Sequence, residues 1–560
     1  MGHMQTPTTT KAPPASGTSY TDFLKEKVKF DEQYGFEVGS NEINPVLKPH
    51  QRDIVQWAVH GGRRAIFASF GMGKSIMQLE TMRLILNREG GKALIICPLG
   101  VRIEFAADAK NLLNMDTTFI RRDDEINGDG LYITNYESVR DGKVDVNQFV
   151  AVTLDEASVL RSFGSKTYQT FLHSFRDVKY RFVATATPAP NRFKELIHYA
   201  GFLGVMDTGQ ALTRFFQRDS TKANNLKLYP HKEREFYMWM ATWAAFVQSP
   251  ADLGHDATGY DLPERHIISH EVEIDLADDK LGRDGQAGIF RSAALGLKEA
   301  SAEKRRSLPA RVDMAMNIVR NHAADNPDDQ IILWCDLNDE QVALERALKA
   351  EGITYSSVHG SQTADEQEAQ LLAWKNRNTR VLIGKPVMLG QGMNLQQCNT
   401  AVFVGLTFKF NDLIQATHRI HRFGQTRPTY THLIYANSEA DVVRTIREKW
   451  HNHDTLAGNM TDIIKSHGLN PAGIVEELTR SLGVKRIEVS GSNWTFTNND
   501  TVEETAHIGD GEVDLIVTSI PFSNHYEYTP SYNDFGHTDN NDHFWAQMAN
   551  LHPPNPAAGV

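Results

Sequence analysis

Three groups of residues in this sequence have the types and spacing to do chemistry together. Ala68-Ser69-Phe70-Gly71-Met72-Gly73-Lys74-Ser75 sets two glycines, a lysine and a hydroxyl within eight positions. Gly71 and Gly73 let the backbone curl so that successive N–H groups face an anion. Lys74 brings a cation to the outer phosphates of a nucleoside triphosphate, and the Ser75 hydroxyl can complete a Mg²⁺ shell. The pattern is a phosphate loop with Ala68 in place of its first glycine. A glycine turn with a solvated lysine would spell the same letters, so the loop needs a second half. About eighty residues later Asp155-Glu156 closes an apolar run. There Asp155 can hold Mg²⁺ and Glu156 can polarise an attacking water.

The third group lies far downstream, in Gln415-Ala416-Thr417-His418-Arg419-Ile420-His421-Arg422-Phe423-Gly424-Gln425. Arg419 and Arg422 stand three apart, which predicts one helix face. Phosphoryl transfer gains most from fixed cations around the γ-phosphate, and a guanidinium supplies them in a fork. A plain basic helix face is the competing reading of this stretch alone.

Elements must position these groups. Short apolar runs alternate with amphipathic stretches, the pattern of a parallel sheet with crossover helices. The first set is Ala65–Ala68, Ala93–Ile96, Leu131–Thr134, Val150–Leu154 and Arg181–Ala184. The second is Ile331–Trp334, Val381–Ile383, Ala401–Val404 and Leu433–Tyr435. Between them the alternation stops, and an aromatic stretch around Phe236–Trp243 reads as helical. The expected fold class is therefore α/β, with two parallel-sheet lobes and a helical insertion. The expected division is 1–44 as a disordered tail and lead-in, 45–205 as the ATP-binding lobe and 206–307 as the insertion and linker. A second lobe follows over 308–450, a helical connector over 451–485 and a partial α/β segment over 486–560.

Composition excludes several classes. The chain has 560 residues, a 41% hydrophobic fraction and 23% charged residues, which suits a soluble protein of several domains. A net charge of −12 argues against a surface basic all over, so any grip on phosphates must be local. Three cysteines, Cys97, Cys335 and Cys398, form no CxxC pair and read as buried thiols. His451 and His453 lack further ligands at metal spacing. No run is long enough to span a membrane, and no signal peptide is evident. The expected location is cytoplasmic, in a bacterial or phage-infected cell.

These residues together resemble the Swi/Snf-like branch of superfamily-two helicases. The resemblance rests on Leu47-Lys48-Pro49-His50-Gln51, the phosphate loop, Cys97-Pro98-Leu99, Thr134-Asn135-Tyr136-Glu137 and Asp155-Glu156. It continues with Thr185-Ala186-Thr187-Pro188, His359-Gly360-Ser361, Gly390-Gln391-Gly392-Met393-Asn394-Leu395 and the Arg422–Gln425 ending. In order and spacing it runs from about 47 to 445. It implies tandem RecA-like P-loop lobes and a DNA-dependent ATPase that moves on double-stranded DNA with ATP and Mg²⁺. By it, Gln51, Gly392 and Gln415 would join Gly71, Gly73, Lys74 and Ser75 in binding ATP. Lys74, Asp155, Glu156, Arg419 and Arg422 would be catalytic, and Ser75 and Asp155 would hold the metal. Thr185 and Thr187 would couple hydrolysis to lobe movement. Pro98, Leu99, Asn135, Gly390 and Asn394 would track DNA. Ala157-Ser158 departs from the family's usual continuation after the carboxylates. The aromatic insertion is similar to phage and mobile-element members.

The tail carries a second resemblance. Asp514–Ile520 reads as an apolar strand running into Ser519-Ile520-Pro521-Phe522, similar to motif IV of amino-group DNA methyltransferases. That motif would present Ser519, Pro521 and Phe522 to a flipped base. No glycine-rich cofactor loop follows, so S-adenosylmethionine is not expected to bind this chain. The leading reading is a translocase once coupled to a DNA-modifying domain, with a modification or restriction-type complex as partner and no membrane. The alternative is a methyltransferase with accessory helicase lobes.

Overall fold

The computed structural model describes residues 19–27, 33–162, 164–189, 192–218, 226–273, 305–389, 395–406, 410–470, 473–474, 478, 483–509, 511–521, 528–529, 531–536, 538 and 541–551. The chain divides into two compact units. One comprises 33–203 and 244–469; the other comprises 1–32, 204–243 and 470–560.

The larger unit holds two parallel sheets. The first is built from β1 (Arg63–Ala68), β2 (Lys92–Ile96), β3 (Thr117–Phe119), β4 (Gly130–Thr134), β5 (Ala151–Asp155) and β6 (Tyr180–Ala184). Most of these strands are apolar along their length and buried on both faces, as a parallel sheet covered by helices requires. Two short strands, β7 (Phe216–Arg218) and β8 (Leu226–Leu228), belong to the other unit. The chain then returns as β9 (Ala244–Val247), which pairs in parallel with β1 and completes a seven-stranded order β3-β4-β2-β5-β6-β1-β9. The Ser69 N–H extends this ladder by donating to the Val247 carbonyl at 2.9 Å, so β9 fixes the entrance of the phosphate loop.

The second sheet is made of β10 (Arg265–Val272), β11 (Ile331–Trp334), β12 (Tyr355–Ser357), β13 (Val381–Gly384), β14 (Thr400–Phe403) and β15 (Thr429–Ala436). Its order is β10-β15-β14-β11-β13-β12, with every ladder parallel. Alternate residues feed two cores. Ile332, Trp334, Leu382 and Phe403 enter one, while Ile331, Leu333, Val381 and Val402 enter the other. The two lobes thus have the tandem RecA-like layout, each a parallel sheet between helical layers.

One expectation needs correction. The stretch 206–307 is not simply helical, because it returns β9 to the first sheet and β10 to the second. Ala244-Ala245-Phe246-Val247 is too short to show a period, and Arg265–Val272 groups its polar and apolar residues in blocks without the alternation of a strand. Their eventual partners, β1 and β15, lie far away in sequence.

In the smaller unit the aromatic stretch becomes a core. Phe215 stacks on Trp239 at 5.1 Å and meets Phe236 edge-on at 5.2 Å. Lys27 Nζ donates to the carbonyls of Tyr532 (2.8 Å) and Asp534 (3.1 Å). Tyr20 and Asn533 both donate to Asp500 at 2.8 Å. Residues β16 (Ile487–Ser490) and β17 (Thr495–Asn498) form an antiparallel hairpin. The expected strand over 514–520 does not form. Leu515, Ile516 and Val517 are 78%, 75% and 86% exposed, and this segment joins no ladder among the described residues. A strand apolar on both faces needs a sheet to enter, and among the described residues the sheets of this unit have two strands each. Among the described residues no helix is long and apolar enough to cross a membrane. All three cysteines are buried free thiols.

Candidate active site

The phosphate loop follows β1 and opens the helix Lys74–Glu89. Gly71 and Gly73 both take φ of +84°, the left-handed region where a side chain is strained. Close approach adds a second reason at each. A Cβ on Gly71 would lie 2.6 Å from the Phe423 Cβ, and one on Gly73 would lie 2.3 Å from the Gln51 Nε2. Lys74 Nζ donates to the loop's own carbonyls, Ala68 at 2.9 Å and Ser69 at 3.2 Å. Burial pulls the Lys74 ammonium down to about 8, against the opposing fields of Glu156 and Asp155.

Asp155 ends β5 beside this loop. Burial lifts its carboxyl to about 6, while a 2.8 Å hydrogen bond donated by Gln78 Nε2 opposes the rise. Gln78 is itself oriented by the Thr153 hydroxyl, 2.8 Å from its Oε1. The Tyr136 hydroxyl donates to the Asp155 carbonyl at 2.7 Å. Glu156 adopts φ +50°, ψ +51°, uncommon for a residue with a Cβ, and this turns its side chain off the strand. Its Oε1 accepts from Thr185 at 3.0 Å and lies 3.5 Å from the Thr187 hydroxyl. The Thr187 N–H donates to Thr185 Oγ1 at 3.1 Å, and its hydroxyl donates to Asn411 Oδ1 at 2.8 Å. Asn411 belongs to the second lobe.

That lobe contributes the arginines. Burial pulls Arg419 down to about 10, and the neighbouring Arg422 pushes the same way, while Glu156, Glu104 and Asp155 oppose. Arg422 is lowered by burial and opposed by Glu104. The helix that precedes them is Phe410–Thr417, so both arginines sit past its end in a turn rather than on one helix face. Gln425 holds this turn by donating to the carbonyls of Gln396, Cys398 and Ile420 at 3.0–3.1 Å. Gly424 at φ +90° lets the chain leave it. Gln415 is buried, and its Nε2 has no hydrogen-bond partner among the described residues. A buried donor of this kind fits a polar ligand.

Two aromatic contacts bind the lobes at this point. Phe70 of the phosphate loop stacks on His418 at 4.3 Å and 11°. Phe423 packs on Tyr260 at 4.6 Å, with Lys48 Nζ 4.3 Å from one ring centre and 4.6 Å from the other. Beside Phe70 a cavity of about 350 Å³ is lined by Phe67, Phe246, Arg265, His418, His421 and His453, among others.

Residues 311–424 match the family described as "Helicase conserved C-terminal domain". The chain is 20% identical over 469 residues to "Uncharacterized ATP-dependent helicase YqhH" of Bacillus subtilis, covering 75% of this chain and 81% of that protein. It is 22% identical over 500 residues to "Probable global transactivator" of Orgyia pseudotsugata multicapsid polyhedrosis virus, covering 78% and 96%. It is 22% identical over 439 residues to "DNA annealing helicase and endonuclease ZRANB3" of Bos taurus, covering 72% and 40%. A solved structure, "Sulfolobus solfataricus SWI2/SNF2 ATPase core in complex with dsDNA", aligns with a TM-score of 0.36 and 15% identity, over 79% of this chain and 97% of that one.

The chain is an ATP-hydrolysing enzyme. Within it, the fold brings Lys74, Asp155, Glu156, Arg419 and Arg422 into one electrostatic neighbourhood. Gln51 lies against the same loop, with Oε1 accepting from the Lys48 N–H at 2.9 Å and Nε2 donating to the Met72 carbonyl at 3.1 Å. Asn135 caps the helix Tyr136–Arg140, accepting from the Ser138 N–H at 3.1 Å. Pro98 and Leu99 begin a short turn, and Leu99 is 49% exposed. Gly390, Gly392 and Asn394 lie outside the described residues, as does Phe522. Ser519 and Pro521 lie in the other unit, on the segment that joins no sheet. The sequence reading missed Gln78, Tyr260 and Asn411. Asn411 had a faint signal, lying one helical turn before Gln415.

Proposed function

We propose that this ATPase is a motor that couples hydrolysis to movement along duplex DNA. The observation that carries the reading is the charge assembly at Lys74. Two carboxylates from the first lobe and two arginines from the second all act on one phosphate-loop lysine. A site divided in this way is complete only when the lobes are together, so each turnover is tied to their relative movement.

In the reaction, water attacks the γ-phosphorus while Glu156 takes its proton. The bond from that phosphorus to the β–γ bridging oxygen breaks, leaving ADP and phosphate. Lys74, Arg419 and Arg422 stabilise charge on the phosphoryl oxygens. Ser75 and Asp155 offer hard oxygen donors suited to Mg²⁺, which would neutralise the β- and γ-phosphates when bound. Gln51, with Gly71 and Gly73, would seat the nucleotide, and Gln415 would direct its free donor to it.

Duplex DNA as the track is supported by the Swi/Snf-like motifs and by a cattle relative named for action on DNA. Pro98, Leu99 and Asn135 would face its backbone, with Gly390 and Asn394. The phage-type origin and the coupling to a DNA-modifying activity rest on the sequence of the insertion and of residues 514–522. ATPase rates with duplex DNA, single-stranded DNA, RNA and no nucleic acid test the track. Duplex DNA should stimulate most, and a third strand should be displaced from a triplex with little unwinding of a fork. Efficient fork unwinding without triplex displacement would make the protein a strand-separating helicase. Lys74→Ala should lose nucleotide binding, whereas Glu156→Gln should bind ATP and turn over very slowly.

A further inference from the structure

The hydrogen bonds around Glu156 contain a choice that one proton must make. Thr187 Oγ1 lies 2.8 Å from Asn411 Oδ1 and 3.5 Å from Glu156 Oε1. A hydroxyl donates one hydrogen bond only. The shorter contact has the geometry of a full bond and the longer sits at the outer limit, so the proton points to Asn411. Among the described residues, Glu156 Oε1 then keeps a single side-chain donor, Thr185 at 3.0 Å. Thr187 is fully buried and Asn411 is 7% exposed, so neither group can readily turn to water instead.

Asn411 and Thr187 belong to different lobes. Asn411 stands at the start of the helix Phe410–Thr417, whose C-terminal end leads directly into the turn that carries Arg419 and Arg422. Any motion that withdraws the arginines therefore withdraws Asn411 as well. Left without that acceptor, the buried Thr187 hydroxyl has Glu156 Oε1 within 3.5 Å, and a buried donor takes an acceptor where one is in reach.

We propose that Asn411 is a positioning residue that reports the presence of the second lobe to Glu156 through Thr187. With the lobes together, Asn411 takes the Thr187 proton and leaves a Glu156 lone pair open to the attacking water. With the lobes apart, Thr187 donates to Glu156 and fills that lone pair, so hydrolysis slows while the arginines are away. This rests on the motor reading of the same site, in which Glu156 takes the water's proton.

The test uses the full-length protein and steady-state ATPase kinetics with duplex DNA. Asn411→Leu keeps the side chain's shape and removes the acceptor. Its kcat should fall by about tenfold, corresponding to roughly 1.4 kcal/mol in the barrier, with KM for ATP within about twofold of wild type. Adding Thr187→Val removes the competing donor, so Asn411→Leu with Thr187→Val should recover most of the lost kcat. Replacing both members of a buried pair by apolar groups of similar shape is nearly neutral for folding, and thermal melting should confirm it. A double variant as slow as Asn411→Leu, or an Asn411→Leu variant at wild-type rate, overturns the relay. A rise in KM in place of a fall in kcat also overturns it, since that would place Asn411 in nucleotide binding. Lys74→Ala and Glu156→Gln run alongside. If they keep full activity, the reading of the site itself falls; if they lose it, the Asn411 result judges the relay alone.

Discussion

Glu340→Gln should destabilise the second lobe severely, and a second substitution should rescue it. Arg311 and Glu340 form an ion pair at 2.6 Å with both side chains fully buried. Arg311 also donates to the Val404 carbonyl at 2.5 Å and to Ser307 Oγ at 2.9 Å. Glu340 Oε2 accepts from the N–H groups of Asp336 (2.7 Å) and Leu337 (3.0 Å), which caps the helix Asn338–Ala350. Glutamine keeps an oxygen for that cap but strands the guanidinium in the interior. Breaking a buried pair this way costs about 3–5 kcal/mol. At about 2–4 °C per kcal/mol for a lobe of this size, the midpoint should fall by roughly 6–20 °C. Arg311→Met with Glu340→Gln removes the stranded charge, and its cost should drop to about 1–3 kcal/mol, the penalty for leaving the Val404 carbonyl unpaired. Thermal melting followed by tryptophan fluorescence suits the assay, because Trp334 and Trp374 are fully buried in this lobe. A double variant no more stable than Glu340→Gln alone would refute the charge argument. Gly405→Ala should reproduce the lesion, since its Cβ would lie 2.4 Å from Glu340 Oε1 and 2.7 Å from Arg311 Nη1.

Three further outcomes follow from the site. Gly71→Ala should cut ATPase activity by ~10-fold or more with a folding cost of only about 1–2 kcal/mol, the strain of a left-handed residue. Phe423→Ala should not rescue it, because the Phe423 N (2.9 Å) and Cβ (2.6 Å) make the clash; recovery of the double variant would put the conflict in the ring instead. Arg422→Ala should leave binding of a fluorescent ATP analogue near normal while single-turnover hydrolysis falls by ~10³-fold, and loss of binding with loss of secondary structure would make Arg422 structural. Tyr260→Ala removes a ring that packs on Phe423 and faces Lys48, so thermal melting should show a loss of about 1–2 kcal/mol; an unchanged midpoint would mean the contact adds nothing.

The backbone of the candidate site was legible in the sequence wherever it depends on local conformation and residue type. Gly71 and Gly73 are glycines because the loop needs positive φ there, and Lys74 begins a helix because the loop ends at Gly73. The runs that became β1, β2, β5 and β6 announce buried parallel strands by apolar content alone. What the sequence could not decide was which distant segment each element would meet. β9 and β10 are ordinary short runs until β1 and β15 offer them an edge. Conversely, Leu515-Ile516-Val517 has strand composition but joins no ladder among the described residues. Arg419 and Arg422 have helical spacing, yet the side chain of Gln425 holds them in a turn. Asn411 acquires meaning only from Thr187, 224 residues away in the chain. Period and propensity act over a few residues, whereas strand partners and buried hydrogen bonds are selected by contacts between segments, and those exist only once the chain has folded.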